Sequence, residues 1–228
     1  MVKAALLGVI VLVVGLSTYF GFQPSHAGQP SFLLIVGLPN VLLAVAGLVY
    51  AHRDGVLKHW FGMRGGDFSL GFVSAGALFG GAWAFTKVFI PPASPRAIWL
   101  AKIYLQTGEP KFLRGHVAIV VIGLVTMALC EEIVWRGLVV SLLEERVGSR
   151  RAWLYAPVLY ALAHVPAAFA MRDAVAGPSP ILPVAALGCG LVWGFMNRKL
   201  GRLTPGIFSH GLFLWCMVMM FRLWGPSI

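Results

Sequence analysis

The chain has 228 residues, of which 59% are hydrophobic and only 11% charged, with a mean hydropathy of +0.84. A soluble domain is usually about 45–50% apolar and about 25% charged, so the composition excludes a water-soluble globule and points to an integral membrane protein. The net charge of +10 sits in short segments between apolar runs rather than on one basic face. That argues against a nucleic-acid partner and fits anionic lipid headgroups at the ends of membrane helices.

About 20 apolar residues cross a bilayer core as a helix. By that rule the chain offers seven spans, at 4–22, 31–51, 68–90, 116–143, 152–172, 181–197 and 204–224. The expected architecture is an all-α polytopic membrane bundle forming one domain over 1–228. The first run, opened by Lys3 and followed by "SHA" at 25–27, also resembles a secretory signal. The stretch from Leu16 to Gly28 is long for that, which favours a retained span.

Between the third and fourth spans, "PPASPR" stops a helix, and an amphipathic piece around Ile98 to Leu105 is expected to lie along the interface. With the N-terminus cytoplasmic, the inner segments hold Lys3, Arg53, Lys58, Arg64, Arg146, Arg150, Arg151, Arg198, Lys199 and Arg202. The outer ones hold Arg96, Lys102, Lys111, Arg114, Arg172 and Arg222. The excess inside sets the expected orientation, N-inside and C-outside.

Gly76 with Gly80, and Gly190 with Gly194, are small-xxx-small pairs that let helix backbones approach, or chance pairs in a glycine-rich chain. Cys130, Cys189 and Cys216 fit no disulfide framework and no zinc pattern, and read as buried, inert thiols.

A charge at the centre of a bilayer costs about 2.5 kcal/mol or more, so ionisable groups inside spans are functional candidates. Asp54, Asp67, Glu109, Glu144, Glu145 and Asp173 fall in loops or at helix ends. Only Glu131 and Glu132 lie within a span, in "ALCEEIVWRGL" (128–138). Among the histidines, only His164 and His210 lie well inside helices. Glu132 and Arg136, four residues apart, share a helix face in the favourable order and suit a bidentate pair. Glu131 is turned about 100° away and is left over for proton transfer. The plain alternative is an ion-pair cluster that locks helices together.

His164 lies between Pro157 and Pro166, which open the helical hydrogen-bond ladder. His210 follows "RLTPG", where Thr204 is the expected N-cap and Pro205 fits the first turn. "EEIVWR" (131–136), "YALAH" (160–164) and "GLVWGFMNRKLGRLTPGIFSHGL" (190–212) together resemble the motifs of the CPBP family. These are CAAX-processing and bacteriocin-processing (ABI) glutamic intramembrane proteases. The resemblance covers about 116–215, the expected catalytic core.

The resemblance implies an intramembrane endopeptidase that needs no metal or other cofactor. In it Glu131 and His164 would activate water, Glu132 and Arg136 would orient the span, and His210 would stabilise the oxyanion. It implies a membrane-anchored protein or peptide as substrate, processed at a CAAX-like or sorting-signal tail, and a prokaryotic plasma membrane as location. One position departs: Leu214 stands where the family commonly has Asn or Asp. Ser209 or Asn197 could supply the donor. Otherwise the site has decayed, leaving an immunity or scaffold factor. A proton-coupled transporter is a third reading, but no inverted repeat supports it. A zinc enzyme is disfavoured by the lack of HExxH-type spacing.

Overall fold

The computed structural model describes residues 2–220. In lipid every backbone polar group must be satisfied within the protein, which leaves helices as the economical solution for these apolar runs. Among the described residues no strand forms, and the one β-bridge pairs Asp173 with Gly177 in a loop.

The helices are, in chain order, α1 (Val2–Gly21), α2 (Pro30–Arg53), α3 (Leu57–Trp60), α4 (Asp67–Phe89), α5 (Ala97–Gln106) and α6 (Pro110–Gly115). They continue as α7 (Val117–Glu132), α8 (Val140–Val147), α9 (Ser149–Ala170), α10 (Ile181–Leu200) and α11 (Thr204–Trp215). A π-helical segment, Ile133–Val139, joins α7 to α8, so Val117–Val147 is one continuous span. Among the described residues, six helices are long and apolar enough to cross a membrane. The seventh expected span is a shorter apolar helix, Thr204–Met219. Its outer end, with Arg222 and the expected outside C-terminus, lies beyond the described residues. The chain is an integral membrane helix bundle, and large apolar side chains such as Leu33, Phe72, Val73, Ile119 and Ile122 cover its outside.

The fourth span opens at Val117, because His116 adopts a non-helical backbone (φ −128°, ψ 34°) and caps it. The interfacial piece forms as α5 and is pinned at two points to the loop between α9 and α10. Trp99 Nε1 donates to Gly177 O (3.2 Å) and Lys102 Nζ to Arg172 O (2.7 Å). In the same loop the backbone N–H groups of Val175 and Ala176 hold the Asp173 carboxyl below its ordinary range, with Lys102 adding to the effect.

Four helix contacts frame the site. α9 packs along α10 on one side and α1 on the other, while α11 is held between α4 and α7. Of the glycine pairs, Gly190 and Gly194 lie against α9. A Cβ at 190 would sit 3.0 Å from Pro157 Cβ, and one at 194 would sit 3.1 Å from Trp153 O. Gly76 and Gly80 meet nothing within 4 Å, so only the second pair sets a helix approach.

Two hydrogen bonds to the end of α3 and the loop after it fix the start of α11. Leu203 N donates to Trp60 O (2.8 Å) and Thr204 Oγ1 to Gly62 O (3.1 Å). Thr204 is therefore not the N-cap: Leu203 holds that position without a side-chain bond, and the Thr204 hydroxyl goes to that loop. Asp67, at the head of α4, pairs with the Arg202 guanidinium and also accepts from Arg64 N (2.8 Å). Both members of that pair are buried.

Candidate active site

The charged residues of "EEIVWR" lie at and within the π segment. Here the hydrogen bonds run from i to i+5 instead of i+4, a widening often found at functional sites. Glu131 and Glu132 end the regular helix, and Arg136 sits inside the wide turn. Glu132 and Arg136 are buried to 1% and 3% exposure, and His210 to 2%. Glu131 keeps more contact with solvent, its side chain being 15% exposed.

The three helices bring these groups together. His210 on α11 places Nδ1 3.0 Å from Glu132 Oε1, and Nε2 3.6 Å from Glu131 Oε2. An ionised carboxylate only accepts, so a proton on Nδ1 makes the bond to Glu132, and Nε2 faces Glu131 just beyond hydrogen-bond reach. Trp193 of α10 stacks on the imidazole with ring centroids 3.8 Å apart and an interplanar angle of 22°.

Arg136 Nη1 lies 3.2 Å from Glu132 Oε1. Neither Nη group has hydrogen-bond geometry to a partner, so the contact is a single ionic approach rather than the bidentate fork expected from the spacing. The wide turn explains the difference, because it moves Arg136 off the regular i, i+4 alignment with Glu132. The guanidinium is covered instead by aromatic faces, 4.7 Å from the Tyr160 ring and 5.0 Å from that of Trp193. A buried cation over two rings gains from their quadrupoles without hydrogen bonding to them.

Glu131 is not left over as its position suggested. The Tyr160 hydroxyl donates to its Oε2, and His210 faces the same oxygen. His164, one turn further along α9, sets its Nδ1 2.8 Å from Tyr160 O. A carbonyl only accepts, so Nδ1 carries the proton and Nε2 is the nitrogen left for chemistry. The His164 ring meets Tyr160 edge-on at 4.7 Å and lies within electrostatic reach of Glu131 and His210.

The two suggested auxiliary donors serve other partners. Asn197 Nδ2 donates to Arg136 O (2.8 Å), tying α10 to the wide turn. Ser209 Oγ accepts from Trp193 Nε1 (3.0 Å) and shares a hydrogen bond with Ser74 (2.8 Å). Neither bonds the His210 ring. Leu214 is partly buried, and the Nδ1 partner of His210 is Glu132. Gly206 permits that arrangement: a Cβ there would lie 3.0 Å from Glu132 Oε2. The carboxylate thus rests against the first turn of α11, where a negative charge is favoured by the helix dipole.

The residues that sequence reasoning missed are Tyr160 as a partner of Glu131, Trp193 as a ring packed against both His210 and Arg136, Gly206, and the Asp67–Arg202 pair. Trp193 lies inside the Gly190–Gly194 motif. Tyr160 opens "YALAH", but its place there says nothing of where the hydroxyl points. Among the described residues, no three His, Cys, Asp or Glu side chains are gathered as metal ligands would be.

No curated protein and no solved structure matches the chain. Residues 113–216 match the family model described as type II CAAX prenyl endopeptidase Rce1-like. That stretch contains α7, the π segment and α8 to α11, and with them Glu131, Glu132, Arg136, Tyr160, His164, Trp193 and His210. The family implies a protease acting on membrane-associated proteins. The segment that carries the buried cluster is thus similar to the Rce1-like CAAX-type proteases of the CPBP group.

Proposed function

We propose that the protein hydrolyses a peptide bond near the C-terminal tail of a membrane-associated protein, using water activated by Glu131 and His164. The observation that carries this reading is the 3.6 Å approach of His210 to Glu131 inside the bundle, beside the one acid of the pair that keeps solvent contact. As the water oxygen attacks the scissile carbonyl, Glu131 takes its proton, with His164 Nε2 as the second acceptor at the site. The charge that develops on the carbonyl oxygen is met by the N–H of His210, whose other nitrogen is held by Glu132. In acyl transfer, fixed donors of this kind often lower the barrier more than any other group. The proton then passes to the amide nitrogen as the C–N bond breaks, giving a carboxylic acid and an amine.

Glu132, Arg136 and Trp193 orient His210 and take no part in bond making. The substrate class is a lipid-modified or membrane-anchored protein with a CAAX-like or sorting-signal tail. With Lys3, Arg53 and Arg198 on the cytoplasmic side, the N-terminus faces the cytoplasm of a prokaryotic cell.

Purified protein is offered a prenylated peptide with a CAAX-like tail, and the product is weighed by mass spectrometry. Cleavage by wild type and its loss in Glu131→Gln support the reading; equal cleavage by both removes Glu131 from the chemistry. Leu214 favours a second reading, a decayed site in a scaffold or immunity protein, and absence of cleavage of both CAAX-like and sorting-tail probes would select it.

A further inference from the structure

We propose that the Tyr160 hydroxyl is a positioning group for Glu131: it fixes which carboxylate oxygen faces the attacking water. The proposal rests on the reading of Glu131 as the base, and deepens it.

The two oxygens of Glu131 are in different surroundings. Oε2 accepts from Tyr160 and faces His210 Nε2. Oε1 bonds to no described residue, on a side chain that is 15% exposed. The terminal torsion of a glutamate is broad and two-fold, so an unanchored carboxylate exchanges its oxygens. A base that must meet water in one place loses by that exchange, because catalysis depends on the reacting groups being held in position.

Tyr160 is itself immobilised. Its ring is 5.0 Å from that of Trp135 and meets His164 edge-on, and its face carries the Arg136 guanidinium at 4.7 Å. Its backbone carbonyl accepts from His164 Nδ1. One residue therefore orients both the proposed base, through its hydroxyl, and the histidine beside it, through its main chain. The second function survives any side-chain change, so the hydroxyl can be tested alone.

The experiment compares the full chain in liposomes as wild type, Tyr160→Phe and Glu131→Gln, with a prenylated CAAX-like peptide as probe. Phenylalanine keeps the ring and all its packing. The expected result is a kcat lowered by about tenfold or more, with KM within about twofold and an unchanged unfolding midpoint, the pattern of an interaction made in the transition state. A kcat within about twofold of wild type overturns the proposal. Glu131→Gln separates the two claims. If it is as active as wild type, the base assignment fails and takes the role of Tyr160 with it. If it is inactive while Tyr160→Phe is unimpaired, the role of Tyr160 alone falls. Should Tyr160→Phe not fold, 3-fluorotyrosine at 160 replaces it, keeping shape while altering the hydroxyl's acidity. A changed kcat at constant KM supports the proposal, and an unchanged one overturns it.

Discussion

Glu132 and His210 are joined by a 3.0 Å hydrogen bond between Oε1 and Nδ1, so the acid that neutralises Arg136 also holds the imidazole. Removing its charge acts on two partners at once. Glu132→Gln leaves Arg136 buried without its counter-charge, and breaking a buried pair in this way costs about 3–5 kcal/mol. The expected outcome is a fall in both the unfolding midpoint in detergent and kcat. Glu131→Gln should lower kcat with little change in stability. A Glu132→Gln variant of full stability would show that Arg136 does not depend on it.

His210→Ala removes the donor facing the developing oxyanion. By analogy with the loss of one such donor, kcat should fall by about 10²–10³-fold. The measurement is steady-state cleavage of the prenylated probe, and a loss confined to KM would mean that His210 only binds substrate.

The glycines give a paired test of helix approach. Gly190→Ala pushes a methyl towards Pro157 and to within 3.3 Å of Arg136 Nη2, whereas Gly76→Ala meets nothing within 4 Å. Overpacking of this kind costs about 1–3 kcal/mol. Thermal unfolding should therefore drop for Gly190→Ala and stay level or rise slightly for Gly76→Ala. Equal effects would place the α9–α10 contact elsewhere.

The Asp67–Arg202 pair ties the head of α4 to the turn before α11. Asp67→Asn and Arg202→Met should each lower the unfolding midpoint and reduce cleavage, because α11 carries His210. The exchanged double variant, Asp67→Arg with Arg202→Asp, should recover part of both losses. No recovery would mean that the surrounding backbone bonds, not the charge pair, hold the turn.

The Asp173 turn supplies a pH test. Backbone N–H groups favour its ionised form, so folding gains from the charge. That gain is complete above the ordinary value of 3.8 and is lost as the pH falls through the lower value of the folded turn. Proteolysis within residues 171–180 should quicken at the acid end of that window in wild type. In Asp173→Asn it should already be fast at neutral pH, and a slow, pH-independent rate would refute this account.

Much of the architecture was legible because lipid imposes one rule, that apolar runs of sufficient length become helices. The acids could be sorted by depth for the same reason, which isolated Glu131 and Glu132. Regular helical spacing then misled at one place. It gave Glu132 and Arg136 a bidentate pairing, and it left Glu131 without a partner. Nothing local marks a π turn in "IVWRGLV", since it is set by how α7 and α8 must meet different neighbours. The Asp67–Arg202 pair was hidden for another reason: both residues lie at helix ends, where exposure is the ordinary expectation, and only their tertiary contact buries them. Tyr160 and Trp193 were visible as aromatic residues, but only tertiary packing reveals where a hydroxyl or a ring face is aimed.

The π segment has one more effect on the molecule. An added residue turns a helix by about 100°, so the halves of Val117–Val147 are out of phase with each other. The first half meets α11, with Val125 and Ala128 against Gly211, while α8 turns to α9. A single span thus serves as a swivelled spindle between two partners that no straight rod could address together. Deleting one residue between 133 and 139 would leave every motif letter of "EEIVWR" outside the cut intact, yet would unseat one of those partners.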